Sequence, residues 1–294
     1  MVNADRGSGM PDNERPVDLL VNGLRARIAQ ENQVIVAFSG GADSALLAAV
    51  AGEVLGERAV AVTAVSASLP LAERAAARAF TRQRGLAHVE VCTDELDRPD
   101  YVANRGDRCF HCKSALFDAL APIVALSGAV VALGTNTDDL GDHRPGQQAA
   151  AERGAIMPMV DVGLSKADVR RISAALGLVT SDKPAAACLS SRIAYGDPVT
   201  REALARIESA EAALHRLGFP VCRVRAHAAG TVARVELPVE DLARATALGA
   251  EIDGAVRGAG FDFCALDLQG FRSGRMNVLL GLPPVPAAPV PAAR

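Results

Sequence analysis

Tryptophan is absent from this 294-residue chain, and 2 Tyr and 8 Phe are its whole aromatic complement. That is too few for a base-stacking platform and excludes a single-stranded nucleic-acid binder of that kind. An excess of positive charge is also missing. The 31 basic and 34 acidic residues leave a net charge of −3, whereas a binder of phosphate backbones carries a clear basic surplus. The longest nearly apolar stretch, 119–134, is interrupted by Pro122, Ser127 and Gly128 and falls short of the roughly 20 residues of a membrane span. The opening MVNADRGSGMPDNERP has no apolar core of a secretory signal. Six cysteines in a chain this long make no disulfide framework, so reduced thiols in a cytoplasm are expected. Lysine occurs only three times, as Lys113, Lys166 and Lys183. An Arg- and Ala-rich composition reflects a GC-rich genome first of all, but a lysine kept against that bias draws attention.

Half the residues are hydrophobic and 22% are charged, a globular composition with ample aliphatic material for a core. Residues 1–16 read as a polar disordered lead-in. The closing PPVPAAPVPAAR (283–294), with five prolines, holds neither helix nor ladder. Between these tails, buried-type strands alternate with helical patterns. Leu20, Leu24 and Ile28 form a stripe; Val34–Phe38, 59–65, 86–91 and 129–133 read as strands. Helices fit the segment through Leu46, Leu47, Val50 and Leu55 after the Gly-rich turn 39–44, then 70–84, 110–126 and, from the capping box Ser165-x-x-Asp168, a segment reaching Leu176 before Gly177. This rhythm predicts a doubly wound α/β domain with a parallel sheet over 17–199. After Thr200, a helix through Leu204, Ile207 and Leu214, half-alternating strands near 221–226, 232–237 and 261–268, and a helix from Val239 predict a smaller α+β domain over 200–282. A 23-residue loop, 177–199, joins the two, and a loop of that length is expected to be functional.

The strongest local signal is VIVAF-SGGADS-ALLAAV. A buried strand ends, Gly40 and Gly41 turn the chain, and a helix begins at the carboxyl end of the sheet. Backbone N–H groups and the helix N-terminus then favour a polyphosphate, with Ser39 and Ser44 adding hydroxyls. Neither the spacing and lysine of a Walker A loop nor the dinucleotide Gly-x-Gly-x-x-Gly is present. A second chemical segment, KPAAACLSSRIAYG (183–196), places Cys188 between Lys183 and Arg192, whose charges would favour its thiolate. From the residues alone, a structural cysteine remains an open alternative. Cys109-x-x-Cys112, beside His111 and Lys113, supplies half a zinc site at most; structural, metal-binding and substrate-contact roles all stay open. Asn136, Asp138, Asp139, Asp142, His143 and Arg144 follow the fourth strand, where ligands of open α/β sheets bind.

Ser-Gly-Gly-x-Asp-Ser resembles the PP-loop of ATP pyrophosphatases, which split ATP between its α and β phosphates and adenylate a substrate oxygen. With RCFHCKSALF (108–117), GTNTDDLGDHRPG (134–146), KPAAACLSSRIAYG, RVRAH (223–227), ARVEL (233–237) and LQGFRSG (268–274) in that order, roughly residues 17–281 resemble the LarE family of ATP-dependent sacrificial sulfur transferases of the nickel-pincer nucleotide pathway.

The resemblance implies ATP and Mg²⁺ as cofactors, with ATP held by Ser39, Gly40, Gly41, Asp43, Ser44, Gly134 and Asn136. The metal would be held by Asp43 and Asp138. It implies a mononucleotide substrate, pyridinium-3,5-biscarboxylic acid mononucleotide, and Cys188 as the catalytic sulfur donor that becomes dehydroalanine. Arg192, Glu211, Arg223, Arg225, Arg234 and Arg272 are the expected substrate contacts, since Arg forks suit one phosphate and two carboxylates. Some family members hold a [4Fe–4S] cluster on extra cysteines near the active one. Here no cysteine lies within thirty residues of Cys188, which favours the sacrificial form unless folding brings Cys109 and Cys112 close. Another PP-loop ligase, a tRNA thiolase or a nucleotide sensor without turnover are the rival readings. A cytoplasmic homo-oligomer without nucleic-acid or membrane partners is expected.

Overall fold

The computed structural model describes residues 15–141, 145–184 and 187–272, with Met276 and Leu279 beyond them. Asp142, His143 and Arg144 lie outside the described residues. In chain order the first part holds α1 (Val17–Ile28), β1 (Val34–Ala37), α2 (Ala42–Leu55), β2 (Ala59–Val65), α3 (Leu71–Gln83) and β3 (Ala87–Cys92). There follow α4 (Pro99–Val102), α5 (Arg108–Ser127), β4 (Val130–Leu133), α6 (Pro145–Glu152), α7 (Pro158–Asp161) and α8 (Lys166–Ala175). The last part holds α9 (Arg201–Arg216), β5 (Arg223–His227), β6 (Val232–Glu236), α10 (Leu242–Ala247), α11 (Gly249–Gly258) and β7 (Phe263–Leu266).

The chain divides into two compact units. One takes residues up to 65, 71–93 and 113–186; the other takes 66–70, 94–112 and everything from 187. Residues 187–199, which the sequence pattern grouped with the first domain, therefore pack with the second unit.

In the first unit four parallel strands run in the order β3-β2-β1-β4. Side chains of successive strand residues point to opposite faces, and β1 shows the consequence. Val34 and Val36 join a core with Leu24 of α1, Leu46 and Val50 of α2, Phe80 of α3 and Ile172 of α8. Ile35, between them, joins Leu116, Phe117 and Leu120 of α5. Helices thus cover both faces, as the apolar runs of the strands require. The chain moves from β1 outward to β3, then returns to place β4 on the other flank of β1. That reversal is the topological switch point where ligands of open α/β sheets bind, at the carboxyl strand ends.

Two sequence signals act as expected. Ser165 and Asp168 form the full capping box of α8, and Gly177 ends that segment with φ +62°. Helix α5 is the one described helix long and apolar enough to cross a membrane by length and composition. Its Leu116, Phe117 and Leu120 are instead buried against the sheet. The parallel bridge Ala132–Ile156 and the short helices α6 and α7 were not evident in the sequence.

In the second unit β5-β6-β7 form a sheet, antiparallel between β5 and β6 and parallel between β6 and β7. The α9 stripe Leu204, Ile207, Ala210 and Leu214 is buried with Val224, Val235, Ile252 and Val256. Thr200 caps α9 by accepting from the Ala203 N–H at 3.1 Å.

Candidate active site

The nucleotide loop lies at the switch point of the first unit. Gly40 adopts φ +74°, a conformation that L side chains rarely take, and Gly41 is the N-cap of α2. Ser44, in the first turn of α2, ties the loop together. Its Oγ donates to the Gly41 carbonyl at 3.2 Å, lies 3.2 Å from Ser39 Oγ and accepts from the Ser39 N–H at 3.3 Å. A Cβ on Gly134, just after β4, would lie 2.7 Å from Ser44 N and 2.9 Å from its Cα. Only glycine lets β4 end against the first turn of α2.

Beyond Gly134 the chain supplies a polar shell. Asn136 is fully buried and donates from Nδ2 to Asp43 Oδ1 at 2.9 Å. Its backbone N–H donates to Asp139 Oδ2 at 3.2 Å, and its Oδ1 accepts from the Asp138 N–H at 3.0 Å. Asn136 therefore fixes the direction of the Asp43 carboxylate through its own fixed amide. One Asp43 oxygen is taken by Asn136; a hard divalent cation bound mainly by phosphates needs only one or two carboxylates, so Asp43 suits Mg²⁺. Asp138, the other metal ligand expected from the sequence, accepts from the Lys166 backbone N–H at 2.8 Å and so caps α8. Among the described residues no three His, Cys, Asp or Glu side chains group closely enough to hold a metal ion unaided.

Lys183 goes to this loop rather than to Cys188. Its ammonium donates to the Gly40 carbonyl at 2.9 Å and to Glu73 Oε2 at 2.6 Å. Arg170 of α8 holds the incoming segment through the Ser181 carbonyl at 3.1 Å. The switch point thus gathers a glycine-rich turn, two hydroxyls, the carboxylates of Asp43 and Glu73 and one ammonium. Such a set has the chemistry to cradle an anion, with a carboxylate beside it that could ligate a cation.

The cysteine turn is built wholly within the second unit. Cys188 is exposed, and none of the six cysteines is disulfide-bonded. The residues after it form a single 3-10 turn, 189–192, pinned from several directions. The Leu189 N–H donates to the Ser68 carbonyl at 2.8 Å, and the Ala194 N–H donates to the Ala226 carbonyl of β5 at 3.0 Å. Arg225 of β5 donates to the Ser191 carbonyl at 3.0 Å. Tyr101 of α4 and Ser190, both buried, share a hydrogen bond of 2.6 Å. Burial first, and the neighbouring Cys188 next, push the Tyr101 phenol well above its ordinary range, so it stays neutral. Ser68 donates to buried Glu95 Oε1 at 3.2 Å, while Glu95 Oε2 is buried without a hydrogen-bond partner. Glu95, Ser68, Tyr101 and Ser190 are site residues that sequence reasoning missed. They come from three separate segments, and no single motif joins them.

Arg192 is nearly fully buried, and its guanidinium serves the protein itself. Nε and Nη2 donate to the Glu211 carboxylate at 3.1 and 3.3 Å, while Nη1 donates to the carbonyls of Ala187 (2.5 Å) and Cys188 (3.0 Å). Glu211 Oε1 also accepts from the Val224 N–H at 3.0 Å.

The β5 and β6 arginines share one face of their sheet, where Arg225 stands opposite Arg234 and Arg223 opposite Glu236. Fully buried Glu236 pairs with Arg225 at 2.9 Å and Arg234 at 3.1 Å, and Arg234 also pairs with Asp267 at 2.5 Å. Arg223 lies 5.1 Å over the Phe271 ring and donates to the Cys222 carbonyl at 2.7 Å. Arg272 is exposed. Of the arginines expected to contact substrate, Arg223 and Arg272 are therefore the least committed to internal carboxylates, and Arg192, Arg225 and Arg234 the most.

Cys109 and Cys112 lie among the first five residues of α5. Cys112 adds to burial and Cys188 in raising the Tyr101 phenol; burial chiefly raises that of Tyr195, Arg108 opposes it, and Cys109 and Cys188 add to the rise. The fold thus brings three thiols separated by about eighty residues into the neighbourhood of two tyrosines.

Comparison with known proteins agrees with this arrangement. A family model described as asparagine synthase matches residues 17–106, which span α1, the nucleotide loop and β2 and β3. An uncharacterized protein of Synechocystis sp. is 45% identical over 87% of this chain and 96% of its own length. One from Methanocaldococcus jannaschii is 27% identical over 86% of this chain and 96% of its own. The pyridinium-3,5-bisthiocarboxylic acid mononucleotide synthase of Lactiplantibacillus plantarum is 35% identical over 86% of this chain and 92% of its own length. With the glycine-rich loop at the switch point and that likeness running through both units, the chain belongs to the LarE family of ATP-using, PP-loop sulfur transferases.

Proposed function

We propose that the chain activates the carboxylates of pyridinium-3,5-biscarboxylic acid mononucleotide with ATP and gives them sulfur from Cys188, serving nickel-pincer nucleotide synthesis. The observation that carries this reading is an exposed thiol on a turn pinned by the buried residues Ser68, Tyr101, Arg192 and Arg225. A nucleophile so fixed loses little freedom on attack.

A carboxylate is a poor electrophile, so its oxygen first attacks the α-phosphate of ATP, giving an acyl-adenylate and pyrophosphate. The glycine-rich turn and the N-terminus of α2 bind the phosphates, and Asn136 holds Asp43 in register. Asp43 would hold Mg²⁺, which supplies neutralisation of phosphate charge when bound. The Cys188 thiolate then displaces AMP to give a thioester. Breaking its Cβ–S bond leaves sulfur on the product as a thiocarboxylate and dehydroalanine in the chain. A bisthiocarboxylic product would consume two chains. Arg223 and Arg272 are the side chains best placed to receive the phosphate and free carboxylate of the substrate.

Mass spectrometry tests the reading. With ATP, Mg²⁺ and the substrate, the chain is expected to lose the mass of H₂S at position 188, once per chain. Cys188→Ser is expected to release pyrophosphate without forming thiocarboxylate. Multiple turnovers with Cys188 unchanged would overturn it.

The shared neighbourhood of Cys109, Cys112 and Cys188 favours one second reading, a [4Fe–4S]-dependent transferase in which these thiols ligate the cluster. The three do not group closely enough to hold a metal ion as they stand. Anaerobic purification with iron and sulfide analysis decides between the readings: bound iron, with the chain mass intact after turnover, supports the cluster.

A further inference from the structure

Eliminating sulfur from an acylated cysteine requires removal of its Cα proton, and an ordinary peptide Cα–H is a very weak acid. The environment of the Cys188 carbonyl addresses that difficulty. Its oxygen accepts from the Ser191 N–H at 3.0 Å, from Ser191 Oγ at 2.7 Å and from Arg192 Nη1 at 3.0 Å. The Ser191 N–H alone would close the turn. The hydroxyl and the guanidinium are additional, and the guanidinium is a buried charge whose other nitrogens are anchored by Glu211. Ser191 is itself oriented, because its Oγ accepts from Arg192 Nη1 at 3.1 Å.

Donors aimed at an oxygen are worth most where that oxygen gains charge during reaction. When a base removes the Cα proton, the electron pair delocalises onto the carbonyl oxygen as an enolate. We infer that Ser191 and Arg192 are catalytic residues of the elimination, acting on the backbone carbonyl of Cys188 and not on the substrate. The step balances without a redox partner. The Cα–H bond breaks and its proton passes to a base in solution, which the exposure of Cys188 admits. The pair held in the enolate forms Cα=Cβ, and the Cβ–S bond breaks with its pair on sulfur. Thiocarboxylate leaves and dehydroalanine remains. The inference rests on the sulfur-donor reading, and it gives Arg192 a role that explains why its fork is turned inward.

The test needs neither ATP nor the natural substrate. Exposed thiols of the folded full-length protein are converted to dinitrophenyl thioethers, whose arylthiolate is a good leaving group. Elimination in mild base is then followed by peptide mapping. Cys92 and Cys109, exposed in the same chain, are internal controls. Dehydroalanine is expected to form at position 188 at least ~10-fold faster than at 92 or 109, a conservative figure when a single oriented oxyanion donor is worth roughly 100- to 1000-fold in an enzyme site. Ser191→Ala and Arg192→Lys are each expected to erase most of that excess; the latter keeps the charge and loses the fork. With the natural reaction, both variants should accumulate the Cys188 thioester, read as a mass gain. Equal rates at 188 and the controls in the wild type, or an undiminished excess in Ser191→Ala, would overturn the inference. A wild type that eliminates fast at 188 from the aryl thioether but never forms dehydroalanine with ATP and substrate would instead overturn the sulfur-donor reading.

Discussion

The ammonium of Lys183 donates to the carbonyl of Gly40 at 2.9 Å, so a residue five positions before Cys188 in the sequence is anchored in the glycine-rich loop. Glu73 holds the same ammonium at 2.6 Å. A point charge at the carbonyl of a phosphate-binding turn is placed to bind phosphate, and Lys183→Met removes it while keeping the length of the side chain. The KM for ATP is expected to rise roughly 10- to 100-fold, the loss of one charge-assisted contact. Pyrophosphate release as a function of ATP concentration measures this; an unchanged KM would assign Lys183 to the Glu73 ion pair alone.

Gly134→Ala is expected to abolish ATP-dependent pyrophosphate release with the fold retained. The added Cβ would stand 2.7 Å from Ser44 N, and backbone at the start of α2 must shift to admit it. Circular dichroism separates this outcome from unfolding, and wild-type release would show that the first turn of α2 moves freely.

Arg223 and Arg225 are expected to behave differently although they share a strand face. Arg225→Ala removes one of the two arginines paired with fully buried Glu236 and leaves it Arg234 alone, which lowers stability by about 2 kcal/mol, the loss of a buried charge-assisted hydrogen bond. Arg223→Ala breaks no carboxylate pair. It is expected to weaken binding of the mononucleotide roughly 10- to 100-fold with little change in melting temperature. Calorimetric titration and thermal melts of both variants check the contrast, and equal melting temperatures would contradict it.

Acid is expected to destabilise the second unit through His227. Burial chiefly, and the charge of Arg234 next, hold its imidazole below the ordinary histidine range. The folded state then binds fewer protons than the unfolded one. The associated stability is present above about pH 6.5 and declines as pH falls below it. Urea unfolding at pH 7.5 and 5.5 should show a smaller loss for His227→Gln than for the wild type. An identical loss would place the acid sensitivity elsewhere.

Patterns carried by neighbours in the chain were decided by the sequence itself. The strands at 34–37, 59–65 and 130–133, the α8 capping box and the Gly40 turn each depend on a few consecutive residues: a nearly unbroken apolar run for a strand covered on both faces, and fixed cap and turn chemistry. The glycine-rich turn between a buried strand and a helix was therefore legible in the sequence, and Cys188 was legible as a marked residue. Tertiary structure alone decided what the surrounding charges do. Linear spacing put Lys183 and Arg192 on either side of Cys188, but a side chain pairs with whatever the fold brings within about 3 Å. Lys183 met Gly40 and Glu73, some 110 residues or more away, and Arg192 met Glu211 and the backbone of its own turn. The pairing of Arg225 with Glu236 and the gathering of Glu95, Ser68, Tyr101 and Ser190 are likewise products of strand register and loop packing. Hydrogen bonds and ion pairs act over a few ångströms of space. Their partners are fixed only when distant segments have been brought together.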